Sequence, residues 1–193
     1  MAAICVFCAS STSIDQRWLD LATETGKELA ARGHTLVSGG GKVGMMGTVA
    51  AGARAGGAHT LGIIPQTLVD WEVADTDADE LVVTGDMASR KNLMIERSDA
   101  FLTLPGGLGT LDELFEAATL IQCGKIGPFP LMLLGEEFWK GMRDYLLFMV
   151  DQGVFDAKEV GFGRIIDSPS EAVEMIVRAL PTSVKKLLKP LKT

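Results

Sequence analysis

Apolar residues in this chain gather in short runs, separated by longer stretches in which they recur every three or four positions. The runs Ala3–Cys8, Thr35–Ser38, Thr60–Ile64, Leu81–Thr84, Ala100–Leu104, Phe129–Leu134 and Arg164–Ile166 have the length of strands. Leu61–Ile64 shows no polar alternation, as expected of a strand buried on both faces. The stretches about Asp15–Arg32, Gly44–Ala55, Ser89–Arg97, Thr110–Cys123, Glu137–Gln152 and Ser170–Leu180 carry the helical period. Gly33 stands where a helix ends, and Ser168-Pro169 where one begins. Strand–helix alternation predicts an α/β fold, a doubly wound, Rossmann-like parallel sheet with helices on both faces. Ligands of such folds bind beyond the carboxyl ends of the strands, where the strand order reverses. One segment breaks the rhythm. Val69–Glu80 holds Asp70, Glu72, Asp75, Asp77, Asp79 and Glu80 with no basic residue, and reads as a solvated acidic loop.

At 193 residues the chain suits one domain, placed at 1–181, followed by a basic tail at 182–193. Lys185, Lys186, Lys189 and Lys192 in that tail read as a solvated, frayed end. The formal net charge of −7 disfavours a nucleic-acid polymer as partner, which needs a dense basic surface. Small anions stay open, because backbone amides bind them without net positive charge. Cys5 and Cys8 have C-x-x-C spacing inside a strand, where alternation sends them to opposite faces, so they cannot share a metal. The N-terminus has no secretory pattern, and no window approaches the roughly 18 apolar residues of a membrane span. A cytoplasmic protein is expected, with no membrane partner.

Glycine is the compositional anomaly: 22 residues, where average usage of about 7% gives far fewer. The excess falls largely in two clusters, each following a predicted strand. Gly39-Gly40-Gly41-Lys42-Val43-Gly44 fits G-x-G-x-x-G, whose glycines admit a tight turn and close approach to phosphate. Yet the next strand ends Ile63-Ile64-Pro65-Gln66, without the carboxylate that holds a dinucleotide's ribose, so a nicotinamide site is disfavoured. Gly40, Gly41 and Gly44 either contact a ligand or let the helix sit close to the sheet.

The second cluster, Pro105-Gly106-Gly107-Leu108-Gly109-Thr110-Leu111-Asp112-Glu113, runs into a helix and can offer backbone amides to an anion. No Gly-Lys-Ser/Thr follows, so it is not a Walker loop. Thr110 and Glu113 have two readings. They form a capping box, or Glu113 points past the phosphate at the sugar. A carboxylate near a helix start tends to stay ionised. It can then stabilise the positive charge that builds on a ribose ring as a glycosidic bond breaks, or orient the attacking water. Arg90-Lys91, after the strand Leu81–Thr84, could bind phosphate or assist the departing base, or lie in solvent. Arg97 has Glu96 and Asp99 as its near partners in sequence.

Ile4-Cys5-Val6-Phe7-Cys8-Ala9-Ser10-Ser11, the Gly39–Gly47 loop, Arg90-Lys91 and above all P-G-G-L-G-T-L-D-E resemble the LONELY GUY (LOG) family, cytokinin riboside 5′-monophosphate phosphoribohydrolases once labelled lysine decarboxylases. The similarity runs from about Ile4 to Phe155. It implies hydrolysis of the N-glycosidic bond of a nucleoside 5′-monophosphate, the cytokinin riboside nucleotide or AMP, to free base and ribose 5-phosphate. It implies Arg90 and Glu113 as the catalytic pair. Substrate contacts are implied from Gly106, Gly107, Leu108, Gly109, Thr110, Leu111 and Asp112, and from Glu72, Lys91 and Thr119. A homodimer or larger assembly with the site near a subunit interface, and no metal or organic cofactor, are implied too. The chain has Ala88-Ser89 where many members have His-Glu, and lacks the tryptophan-rich form after the catalytic helix. The main rival is a molybdenum-cofactor carrier, similar in fold and glycine-rich loops. A passive carrier has no use for a carboxylate beside its anion. An oxidoreductase ranks third, and lysine decarboxylation last.

Overall fold

The computed structural model describes residues 1–71, 73–158 and 163–180. Glu72 and the tail at 182–193 lie outside the described residues. Seven strands, β1 (Ala3–Phe7), β2 (Thr35–Ser38), β3 (Thr60–Pro65), β4 (Glu80–Thr84), β5 (Ala100–Thr103), β6 (Leu131–Leu134) and β7 (Arg164–Ile166), form one parallel sheet in the order β4-β3-β2-β1-β5-β6-β7. The helices are α1 (Gln16–Ala31), α2 (Gly44–Ala55), α3 (Gln66–Asp70), α4 (Met87–Glu96), α5 (Leu108–Gln122), α6 (Glu136–Asp151) and α7 (Pro169–Ala179).

Alternation along the strands builds a core on each side of the sheet. Ile4 and Val6 join Ala22 of α1, Val49 of α2 and Val173 of α7 in one cluster. Cys5 and Phe7 join Met94 of α4, Leu114 of α5 and Trp139 of α6 in the other. Cys5 and Cys8 fall in different clusters, on opposite faces as their spacing requires. The expected doubly wound fold is what the chain adopts. From β1 the chain winds outward through β2 and β3 to β4, then α4 returns it to β5 on the other side of β1. The reversal lies between β1 and β5, and both glycine clusters stand on that carboxyl rim.

Three local expectations are corrected. The region Val69–Glu80 is not simply solvated. Val73 accepts from the Lys42 amide at 2.8 Å, the Asp75 amide donates to Gly40 O at 2.8 Å, and buried Asp75 pairs with Arg54 at 2.7 Å. Alternating small and acidic residues leave backbone free to strap the first glycine cluster, while Arg54 satisfies the inward carboxylate. The short helix α3, which the periodicity did not signal, leads into the segment and ends at Asp70. Arg97 reaches Glu80 at 2.8 Å on β4 rather than Glu96 or Asp99, because α4 lies against that edge of the sheet.

Candidate active site

α4 begins two residues earlier than its apolar period suggests, because Asp86 caps it, accepting from the Ser89 amide at 2.7 Å. Arg90 therefore sits in the second turn and reaches back under the rim of the sheet. The last β2–β3 pairing is Ser38 with Gly62, so the next rung would join Gly39 and Ile63. The guanidinium takes that rung. Its Nε donates to Ile63 O at 3.0 Å and its Nη2 to Gly39 O at 3.2 Å. Nη1 donates to Glu113 Oε1 at 3.0 Å. Arg90 is 4% exposed and Glu113 7%.

α5 also starts two residues before expected, at Leu108 with Gly107 as its cap and no side-chain hydrogen bond there. Glycines in succession have no side chain to fix the boundary, so the first turn forms as soon as the chain leaves Pro105. The capping-box reading of Thr110 and Glu113 is thereby overturned: Thr110 lies inside the first turn and Glu113 in the second. The first intrahelical bond runs from the Leu111 amide to Gly107 O, leaving the amides of Leu108, Gly109 and Thr110 without acceptors in the helix.

A cavity of about 540 Å³ gathers these parts at the β1–β5 reversal, within the usual range for a small-molecule site. Gly107 through Thr110 form one end. Arg90 and Glu113 lie in the wall, with Gly39 and Gly41 beside them. Burial pushes the Glu113 carboxyl up from its ordinary 4.5 to about 7, against the opposing pull of Arg90. The expectation of a firmly ionised carboxylate is corrected, because the group is buried a turn beyond the helix's positive end. It can exchange a proton near neutrality. Cys8, at the end of β1, also lines the cavity. Burial raises its thiol well above the ordinary range, so it serves as apolar wall rather than nucleophile.

The family model described as "Possible lysine decarboxylase" matches residues 46–176. A cytokinin riboside 5′-monophosphate phosphoribohydrolase of Mycobacterium tuberculosis is 43% identical over 173 residues, covering 88% of this chain and 90% of that protein. The chain belongs to the LOG family. A relative of the same description from Arabidopsis thaliana is 43% identical over 188 residues, 97% of this chain and 80% of its own length. Among solved structures, the molybdenum cofactor binding protein of Rippkaea orientalis superposes with a TM-score of 0.69 at 23% identity, covering 97% of this chain and 98% of that one. The molybdenum cofactor carrier protein of Chlamydomonas reinhardtii gives 0.67 at 24%, with the same coverage. At that identity the likeness speaks to the fold alone.

Of the residues that LOG resemblance nominated, the cavity brings together Arg90, Gly107, Leu108, Gly109, Thr110 and Glu113, with Gly41 from the first cluster. Others stand elsewhere. Lys91 turns to the outer face of α5, bridging Asp112 and Glu116 at 2.8 Å each, which holds it and Asp112 away from the cavity. Leu111 and Thr119 face a separate shallow groove along α5. Gly106 makes room for the Thr110 side chain, which an added Cβ would approach to 2.1 Å. Gly40 and Gly44 adopt positive φ, +71° and +61°, and do not line the cavity. Glu72 lies outside the described residues. The sequence reading missed Ser10, Ser11, Leu68, Trp71 and Met87, all in the lining. The two serines directly follow β1, so the reversal rule alone could have named them. Nothing local marks Trp71 or Met87 as rim residues.

Proposed function

We propose that this LOG-family chain hydrolyses the N-glycosidic bond of a cytokinin riboside 5′-monophosphate. Water adds to the sugar carbon as the bond to the base breaks, giving free base and ribose 5-phosphate. The Arg90–Glu113 contact, buried beside the open amides of α5, is the observation that carries the reading. The free amides of Leu108, Gly109 and Thr110 suit the phosphate. A nucleotide so held presents its ribose to the second turn, where Glu113 stands. An ionised Glu113 stabilises the positive charge growing on the sugar and takes a proton from the attacking water. Arg90 fixes that carboxylate. One of its five guanidinium N–H donors holds Glu113, and two more hold Ile63 O and Gly39 O. The reaction so written is complete without a metal or organic cofactor.

The rim supports a base with an isoprenoid substituent over plain adenine. Trp71 is 72% exposed and Leu108 87%, with Met87 also exposed beside them. Such apolar surface at a cavity mouth favours an apolar tail. Purified protein, without added metal, should release ribose 5-phosphate faster from isopentenyladenosine monophosphate than from AMP. Absence of product from both would refute the reading. Among the described residues no lysine lines the cavity, which leaves the label of lysine decarboxylase without a Schiff-base candidate there.

The same reading includes a cytoplasmic homodimer. Phe115 of α5 and Tyr145 of α6 are exposed and line an apolar groove containing Thr119, and exposed Phe148 stacks on Tyr145. Burying that face against a second copy suits it better than water does. Light scattering at micromolar concentration should return twice the chain mass, and a monomer mass would overturn this part. No helix among the described residues is long and apolar enough to cross a membrane.

A further inference from the structure

We propose that Gly39 is a positioning residue, whose missing side chain lets the Arg90 guanidinium replace the next rung between β2 and β3. A Cβ at Gly39 would stand 1.8 Å from Arg90 Nη2 and 2.9 Å from its Cζ, distances that no side chain tolerates. The obstacle is the seat of the cation, not a flexible neighbour at the surface: Arg90 is held by Ile63 O, Gly39 O and Glu113 at once. Nor is Gly39 required by its backbone. It is absent from the positive-φ glycines, which in this cluster are Gly40 and Gly44. Its role is therefore space. A methyl there drives the guanidinium off both carbonyls and away from Glu113, while the amides of α5, on the far side of β1, keep their geometry. The first glycine cluster thus serves the arginine before it serves any phosphate.

This inference rests on the proposed hydrolysis for its kinetic arm and on the fold alone for its stability arm. In the kinetic arm, Gly39→Ala should lower kcat about 100-fold, as expected for a catalytic group displaced by about an ångström. KM for the nucleotide and affinity for ribose 5-phosphate should stay within about threefold, since phosphate capture is untouched. The acid limb of the rate profile should also move to higher pH, because Glu113 loses part of the opposing cation. An unchanged kcat overturns the proposal. So does a weakened KM and product affinity with kcat retained, which would make Gly39 a substrate contact. In the stability arm, Gly39→Ala is compared in wild type and in Arg90→Lys, which lacks the terminal nitrogen the methyl meets. Tm should fall by at least about 5 °C in the first background and by less than half as much in the second. Equal losses overturn the proposal, even if Gly39→Ala folds too poorly to assay. A wild-type protein inactive on every nucleotide defeats the hydrolase reading and leaves the stability arm to decide this one.

Discussion

Replacing Glu113 by glutamine removes one titrating proton while keeping nearly the same shape beside Arg90. The wild-type carboxyl is buried, and its midpoint stands at about 7 rather than the ordinary 4.5. The folded chain therefore binds this proton more tightly than the unfolded chain does. The stability it contributes is complete below about pH 4.5 and is lost as pH rises through 7. At about 1.4 kcal/mol per tenfold in affinity the whole loss is about 3.5 kcal/mol, of which about 2.5 kcal/mol falls between pH 5 and pH 8. Glutamine has no such proton, so the variant escapes the loss. Urea unfolding of both proteins at fixed chain concentration, in half-unit steps from pH 5 to 8.5, gives the difference in unfolding free energy at each pH. Other titrating groups cancel in that difference. It should move in the variant's favour by about 2.5 kcal/mol and level off above pH 8. A flat difference would mean that burial does not control the carboxyl. The same flat line would follow if the Arg90 charge offset burial and held the group at or below 4.5, where the change falls below pH 5, and either way it would refute the reasoning.

Three other outcomes follow from the site. If ionised Glu113 is the working form, kcat/KM should fall about tenfold per pH unit below pH 7, and a profile flat down to pH 5 would assign the proton transfer elsewhere. Lys91→Met should lower stability by about 1 kcal/mol or less, since Asp112 is largely solvated, and change KM less than about threefold; a much larger KM effect would return Lys91 to the substrate. Trp71→Ala should reduce the preference for isopentenyladenosine monophosphate over AMP by about tenfold or more, measured as a ratio of kcat/KM, with AMP turnover little changed.

The fold was legible because its signal is local. Each strand is an apolar run between turn residues, and Gly33 and Ser168-Pro169 mark helix ends with chemistry readable in a window of a few residues, as Asp86 also did without being read. The glycine-rich approach to α5 was harder, since a run without side chains gives no boundary, and the capping box that its spacing suggested did not form. The nature of Arg90 was beyond local reading altogether. Its three acceptors lie 27, 51 and 23 positions away, on β3, after β2 and on α5. Only the strand order brings them together. The same holds for Asp75, which looked like one more acid in a solvated run until Arg54 of α2 met it. Glu113 was nominated with the correct neighbour, but its ionisation depends on burial that no spacing reveals.

Arg90 is anchored on main-chain oxygens, and of the two residues that supply them only Gly39 must keep its identity, for want of space. Any residue at position 63 offers the same carbonyl, so drift at that position leaves the charge where it stands. The rim belongs to a different class: Trp71, Met87 and Leu108 meet the cavity through what their side chains are. On the proposed reading, selection can therefore retune which nucleobase is accepted, one rim substitution at a time, while the buried pair beneath stays as it is.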